Sequence, residues 1–323
     1  MKFETQRGIL CFDYLMLAII GILFLISTYT NVLYRGMGDA VKMGLCFLLP
    51  VIAVYFARHT GVGRGFWGNP KVVIAVACGF NTILHLFLFV RNGIVDDRIQ
   101  LVFCLAYILG MMELNSETWT EKGIYLFLPW TILLSMSNGT KAGGILLAVG
   151  YFCLFREKKQ ILLTIGSVLG AGILQIAVSG NYLWQRLFAD SVMGSEQAYA
   201  AGLMLPGTGR QLDILQLPDG YREYFPAFIK GNFGSIIFLA IGILQILLIF
   251  GFIRRAKRNP SMKSRFYVLV GIFGFRFAYG ILMNFGLLPV TSIVLPCVLA
   301  DAGYAMFDGL LLAVCLKGDG TRS

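Results

Sequence analysis

The stretch NFGSIIFLAIGILQILLIFGFI at 232–253, followed at 254–258 by RRAKR, decides the fold class. A run of 22 residues with no ionisable side chain is long enough, as a helix, to cross the hydrocarbon core of a bilayer. The abrupt switch to Arg254, Arg255, Lys257 and Arg258 marks where such a helix leaves lipid. Nine more apolar runs read the same way: 10–30, 40–57, 71–90, 99–113, 122–137, 142–155, 160–179, 264–284 and 290–316. The expectation is an all-α, polytopic integral membrane bundle of about ten transmembrane helices, forming one domain over residues 1–323.

Composition excludes the alternatives. Hydrophobic residues make up 57% and charged residues only 14%, against roughly 25% charged in soluble domains. Too few charges exist to cover a water-soluble globule, and disorder needs low hydrophobicity and high charge. Mean hydropathy is +0.75, and the 14% of aromatic residues suits interfacial belts. A formal charge of +10 would point to nucleic acid in a soluble protein. In a membrane chain it reflects Lys and Arg gathered in loops, so no nucleic-acid partner is expected.

Those cations also set the expected orientation. With the N-terminus inside, 17 of the 27 Lys and Arg residues fall in cytoplasmic segments, and both termini are cytoplasmic. Lys2 and Arg7 before the first apolar run resemble a signal peptide. The run is long and lacks a small-x-small cleavage site, so it is read as a retained anchor. The seven cysteines never come closer than 18 positions, which leaves neither a disulfide framework nor a Cys/His metal cage.

One segment carries no spanning run. Residues 180–231 hold Arg186, Asp190, Glu196, Arg210, Asp213, Asp219, Arg222, Glu223 and Lys230 among aromatic and apolar side chains. A long extracytoplasmic loop of this kind is where binding or chemistry concentrates, and its mixed character suggests a course along the membrane surface. Inside the spans, Arg276, Asp301 and Asp308 stand out, because ionisable groups in hydrocarbon face a bundle interior or a cavity. An Arg276–Asp301 pair fits a neutralising role, with a substrate or proton path as the sharper alternative. Asn81 and His85, four residues apart, read as polar glue between helices. PGTGR at 206–210 lacks the Lys-Ser/Thr of a phosphate-binding loop and reads as a turn. SNGT at 137–140 reads as an outer turn, or as a broken helix approaching a substrate.

MNFGLLPVTSIVLP at 283–296 resembles the signature M-N-L-G-L-L-P-V-T-G-I-P-L-P of the SEDS family, the RodA/FtsW/SpoVE-like proteins of shape, elongation, division and sporulation. Weaker echoes lie in Asp13-Tyr14, in Ile26-Ser27-Thr28, in SNGT at 137–140, and in the stretch from Leu212-Asp213-Ile214-Leu215 through Leu217-Pro218 to Asn232-Phe233-Gly234. The resemblance implies a ten-span peptidoglycan glycosyltransferase in the bacterial cytoplasmic membrane. Such an enzyme polymerises lipid II, the undecaprenyl-pyrophosphate-linked disaccharide, beside a class B penicillin-binding protein. The family's L-P-E-Q-H-T-D-F segment ends in a catalytic Asp. Counting from Pro218 sets Asp219 on the family's Glu and Glu223 on that Asp.

An acid there suits the chemistry, since a general base must take the acceptor hydroxyl proton. The pyrophosphate leaving group needs cations, from Arg or Lys or from a divalent metal such as Mg or Mn. Arg186 falls near a basic family position, and Arg210 and Arg222 are candidates by charge and place. The chain also departs from the family pattern. Glu223 replaces Asp, Ser137 replaces the aspartate of P-D-L-G-T, and Lys230-Gly231-Asn232 replaces G-E-E. After Pro296 the sequence diverges altogether, as CVLADAGY at 297–304. These departures motivate a second reading, a non-catalytic membrane scaffold or regulator of cell-wall synthesis, while Arg276, Asp301 and Asp308 in the spans suggest a third, a transporter or flippase of lipid-linked precursors.

Overall fold

The computed structural model describes residues 2–59, 195–206, 223–258, 260, 263–288, 293–298 and 301–315, with isolated helical positions between 79 and 173. The expectations placed on Asn81, His85 and 137–140 lie outside the described residues. Among the described residues the structure is helical, without strands: α1 (Lys2–Arg35), α2 (Met37–His59), α3 (Ser195–Met204), α4 (Phe225–Arg258), α5 (Lys263–Asn284) and α6 (Ala302–Cys315). Among the described residues three stretches are long and apolar enough to cross a membrane, namely Tyr14–Arg35 of α1, the whole of α4, and Arg265–Asn284 of α5. The chain is a membrane protein, as its composition requires.

The fold divides into two compact units. One comprises Met1–Cys46, Met193–Phe266 and Phe273–Ala305; the other comprises Phe47–Val192, Tyr267–Ile272 and Met306–Ser323. In the first unit polar side chains are buried beside apolar ones such as Met16, Leu23 and Leu248, while many other large apolar side chains face outward. On α1, Ser27, Thr30 and Asn31 are buried while Leu25, Tyr29 and Leu33 are exposed. The buried groups are satisfied locally: Thr30 Oγ1 donates to the Ile26 carbonyl at 2.8 Å, and Asn31 Nδ2 to that of Ser27 at 3.0 Å. On α4 the reach from Ile236 to Phe250 exposes Ile236, Leu239, Ile243, Ile246, Leu247 and Phe250. A soluble protein would bury such a face; lipid removes the cost.

Helix α4 is broken near its start. Gly234 adopts φ 84° and ψ 172°, a region open essentially to glycine alone. The break separates a short buried helix, residues 225–233, from the lipid-facing remainder of α4. α5 ends where the sequence MNFGLLP requires it to. Gly286 takes φ 75°, the Leu287 N–H reaches the Leu282 carbonyl at 3.0 Å, and the Gly286 N–H reaches that of Met283 at 3.0 Å. This is a Schellman stop with glycine at the left-handed position.

Two expectations change here. Residues 290–316 do not form one spanning helix. Ile293–Val298 are non-helical, Pro296 lies in a turn closed by the Val298 N–H on the Leu295 carbonyl, and helix returns only at Ala302. Proline cannot continue a helix from within, and Cys297, at φ 56°, completes the turn. Nor is 180–231 a surface loop throughout. α3 buries Ala200, Leu203 and Met204 in a cluster with Tyr224 and Ala227, and Lys230 belongs to α4. These apolar residues pack on protein; residues 180–194 and 207–222 of that segment lie outside the described residues.

In the second unit, α6 approaches α2 at backbone distance. A Cβ built on Gly309 would lie 2.3 Å from the Phe47 carbonyl oxygen, so only glycine permits this approach, as small residues do where membrane helices meet.

Candidate functional site

The entrance to α4 is where sequence and structure converge. The first helical bond of α4 runs from the Phe228 N–H to the Tyr224 carbonyl at 2.8 Å, which makes Tyr224 the N-cap residue. Tyrosine has no short side-chain acceptor to cap the following N–H groups. Asn284, the last residue of α5, supplies one instead. Its Oδ1 accepts the Ala227 N–H at 3.1 Å, while its Nδ2 donates to the Glu223 carbonyl at 3.2 Å and to that of Gly280 at 2.8 Å. Asn284 is fully buried. One amide thereby fixes Glu223, Ala227 and the end of α5 together, and Glu223 sits half-buried in the turn immediately before α4, at the positive end of the helix dipole.

Three further polar side chains tie together the short helix and the elements around it. Lys230, buried, donates to the Leu203 carbonyl at 2.7 Å and to the carbonyl of Leu205. These carbonyls end α3, where a cation complements the negative helix terminus. Gln197 Nε2 donates to the Leu288 carbonyl at 2.8 Å, tying α3 to the turn after α5. On the α1 side, Tyr34 Oη donates to Asn232 Oδ1 at 2.8 Å, and the Tyr34 ring meets that of Phe228 edge-on at 4.8 Å. An apolar crevice adjoins this assembly, lined by Phe225, Pro226, Ile229, Phe238, Phe277 and Leu295 among others.

Of the catalytic and substrate-binding candidates read from the sequence, the structure describes Glu223; Asp219, Arg186, Arg210 and Arg222 lie outside the described residues. Among the described residues no group of three or more His, Cys, Asp or Glu is placed to hold a metal. Sequence reasoning missed the helix-ending role of Lys230, the role of Gln197 and the capping role of Asn284. A signal existed for the first, a lysine inside the apolar run AFIKGNFG at 227–234.

The ionisable residues of the later spans have structural work. Arg276, fully buried, donates from Nε to the Val294 carbonyl at 2.8 Å and from Nη2 to that of Leu295 at 3.2 Å. Its guanidinium lies 4.6 Å from the centre of the Tyr304 ring. Gln245 Nε2 donates to the Pro296 carbonyl. Non-helical backbone beside the middle of membrane helices must be satisfied by protein, and these two side chains satisfy three successive carbonyls. Asp301 precedes α6 rather than lying within a helix. Its Oδ1 accepts the Gly303 N–H at 2.8 Å and that of Tyr304 at 3.3 Å, the geometry of an N-cap. Asp308 is buried within α6.

No protein-family model and no curated protein matches this sequence. Its fold is nevertheless that of a solved structure. One chain of a peptidoglycan synthase complex, solved in work on how polymerization and crosslinking are coordinated, superposes with a TM-score of 0.65 at 14% identity, over 94% of this chain and 96% of that chain. The likeness is one of fold, and it spans nearly the whole length of both chains.

Proposed function

We propose that the chain is a divergent SEDS-type peptidoglycan glycosyltransferase that polymerises lipid II at the outer face of the bacterial cytoplasmic membrane, in cell-wall synthesis serving shape, division or sporulation. The observation that carries this reading is the hydrogen bond from Asn284, within the signature-like MNFGLLP, to the backbone of Glu223. It gives the signature a physical task, which is to hold the acidic turn at the mouth of α4. The fold likeness to a chain of a peptidoglycan synthase complex supports the same reading, with a class B penicillin-binding protein as partner.

In this mechanism Glu223 accepts the proton of the acceptor sugar's 4-hydroxyl as its oxygen attacks the donor's anomeric carbon. The new C–O bond forms while the bond to undecaprenyl pyrophosphate breaks and the leaving group departs with the electron pair. Arg186, Arg210 and Arg222 are assigned to its negative charge, and Asp219 assists at the acceptor. Purified protein supplied with labelled lipid II, a class B penicillin-binding protein and a divalent metal is expected to make glycan polymer, and Glu223→Gln is expected to abolish it. Absence of polymer from the wild type under those conditions would overturn the catalytic reading.

Lys230 favours a second reading, that of a non-catalytic scaffold. Where the resembled family carries G-E-E, this chain has a buried lysine committed to ending α3. A scaffold would copurify with a penicillin-binding protein regardless of Glu223→Gln. The transporter alternative loses ground, because Arg276 and Asp301 both bind backbone groups.

A further inference from the structure

Between Glu223 and Asp301 the chain contains no acidic residue, while Arg254, Arg255, Lys257, Arg258, Lys263 and Arg265 crowd the turn between α4 and α5. Two membrane-crossing stretches share this end. Arg255 is half-buried, its guanidinium 5.4 Å from the centre of the Phe266 ring, so it fastens the end of α4 to the start of α5. Arg254, Lys257 and Arg258 are exposed. Their spacing, three and four residues apart, sets them on one face of the last turn of α4.

That face continues into lipid. Ile243, Leu247 and Phe250 are exposed and follow the same three-and-four spacing up to Arg254, so one stripe of α4 passes from bare apolar side chains to clustered cations. The first turn of α5 adds Lys263 and Arg265 and no acidic side chain, although a helix N-terminus, being positive, ordinarily favours acids. Positive potential therefore accumulates at the boundary of an apolar band.

We propose that this stripe of α4 binds an anionic phospholipid, with acyl chains along Ile243, Leu247 and Phe250 and the phosphate among Arg254, Lys257 and Arg258. The inference is independent of any catalytic role for Glu223. It also goes beyond a topology signal, which acts during insertion and needs no retained lipid. Juxtamembrane cations attract anionic headgroups through short-range electrostatics that salt weakens.

The test uses the purified full-length chain in mixed micelles of phosphatidylglycerol and phosphatidylcholine with identical acyl chains, counting retained lipids by native mass spectrometry. The wild type is expected to retain phosphatidylglycerol preferentially, and the preference is expected to shrink as salt rises. The triple variant Arg254→Gln, Lys257→Gln, Arg258→Gln should lose it by on the order of 10-fold or more. The charge-conserving double variant Arg254→Lys, Arg258→Lys should keep it. An undiminished preference in the triple variant, or a wild-type preference that salt does not move, would overturn the proposal; the salt titration needs no variant to fold.

Discussion

Asn284 caps Ala227 across two helices: the side-chain oxygen at the end of α5 accepts the backbone N–H in the first turn of α4, at 3.1 Å. This is an N-cap supplied in trans. The local sequence offers only Tyr224 at the cap position, and a buried helix start without a partner would leave a donor orphaned. Asn284→Ala removes that acceptor and the two donors that hold Glu223 and Gly280. The expected loss of stability is about 1–3 kcal/mol, read as a lower thermal midpoint in detergent. Asn284→Asp keeps the acceptor for Ala227 but loses both donors and buries a charge, so it should be no better. If Asn284→Ala melts like the wild type, the cap is not what organises the entrance to α4; if Asn284→Asp does, the two donors contribute nothing.

Arg276 and Gln245 answer a different structural need. The backbone from Val294 to Pro296 runs non-helically beside the middle of α4 and α5, and its carbonyls are met by these two side chains. Arg276→Met keeps bulk but orphans the Val294 and Leu295 carbonyls. Arg276→Lys keeps the charge yet cannot reproduce the fork, nor its stacking on Tyr304. Stability should fall in the order wild type, Lys, Met, with the Met variant losing roughly 2–4 kcal/mol. A chemical-denaturation or thermal series of the three proteins checks the order. A transport role would instead predict variants that remain stable and fail only in substrate movement.

Legibility in the sequence followed how local the cause was. The 264–284 run became α5 at Lys263–Asn284 because apolar length and a glycine-proline stop are both written in neighbouring residues. The break at Gly234 was not legible, since 232–253 reads as one unbroken apolar run. The 290–316 run misled, since hydropathy measures burial and not helicity. A stretch of Ile, Val and Leu is equally apolar when buried as extended chain with its carbonyls bound by Arg276. Lys230 was legible as a charge of the 180–231 segment and Asn284 as part of MNFGLLP, but neither as a cap. Their partners, the end of α3 and the start of α4, lie 25 to 61 residues away, and no periodicity connects them. Of the proposed site, Glu223 could be placed by counting from Pro218, while the amide that holds it follows only from the packing of α4 on α5.

Glycine substitutions separate three physical situations within these helices. Gly274 in α5 has nothing within 4 Å of a built Cβ and no positive φ, so Gly274→Ala should be neutral or stabilising by about 0.5–1 kcal/mol through helix propensity. Gly309→Ala places a methyl 2.3 Å from the Phe47 carbonyl oxygen, a backbone atom that no rotamer change can move. α6 and α2 would have to part, at a cost of about 1–3 kcal/mol. Gly234→Ala meets no neighbour within 4 Å, yet its φ of +84° and ψ of 172° remain closed to alanine, so strain of about 1–3 kcal/mol is expected without any clash. Thermal midpoints should therefore lie at or above the wild type for Gly274→Ala and below it for Gly309→Ala and Gly234→Ala. Hydrogen exchange tells the two destabilised ones apart: Gly309→Ala should raise exchange along α6 and α2, and Gly234→Ala around residues 230–238 of α4. Equal midpoints for all three would mean that neither the close approach at Phe47 nor the break at Gly234 constrains the chain.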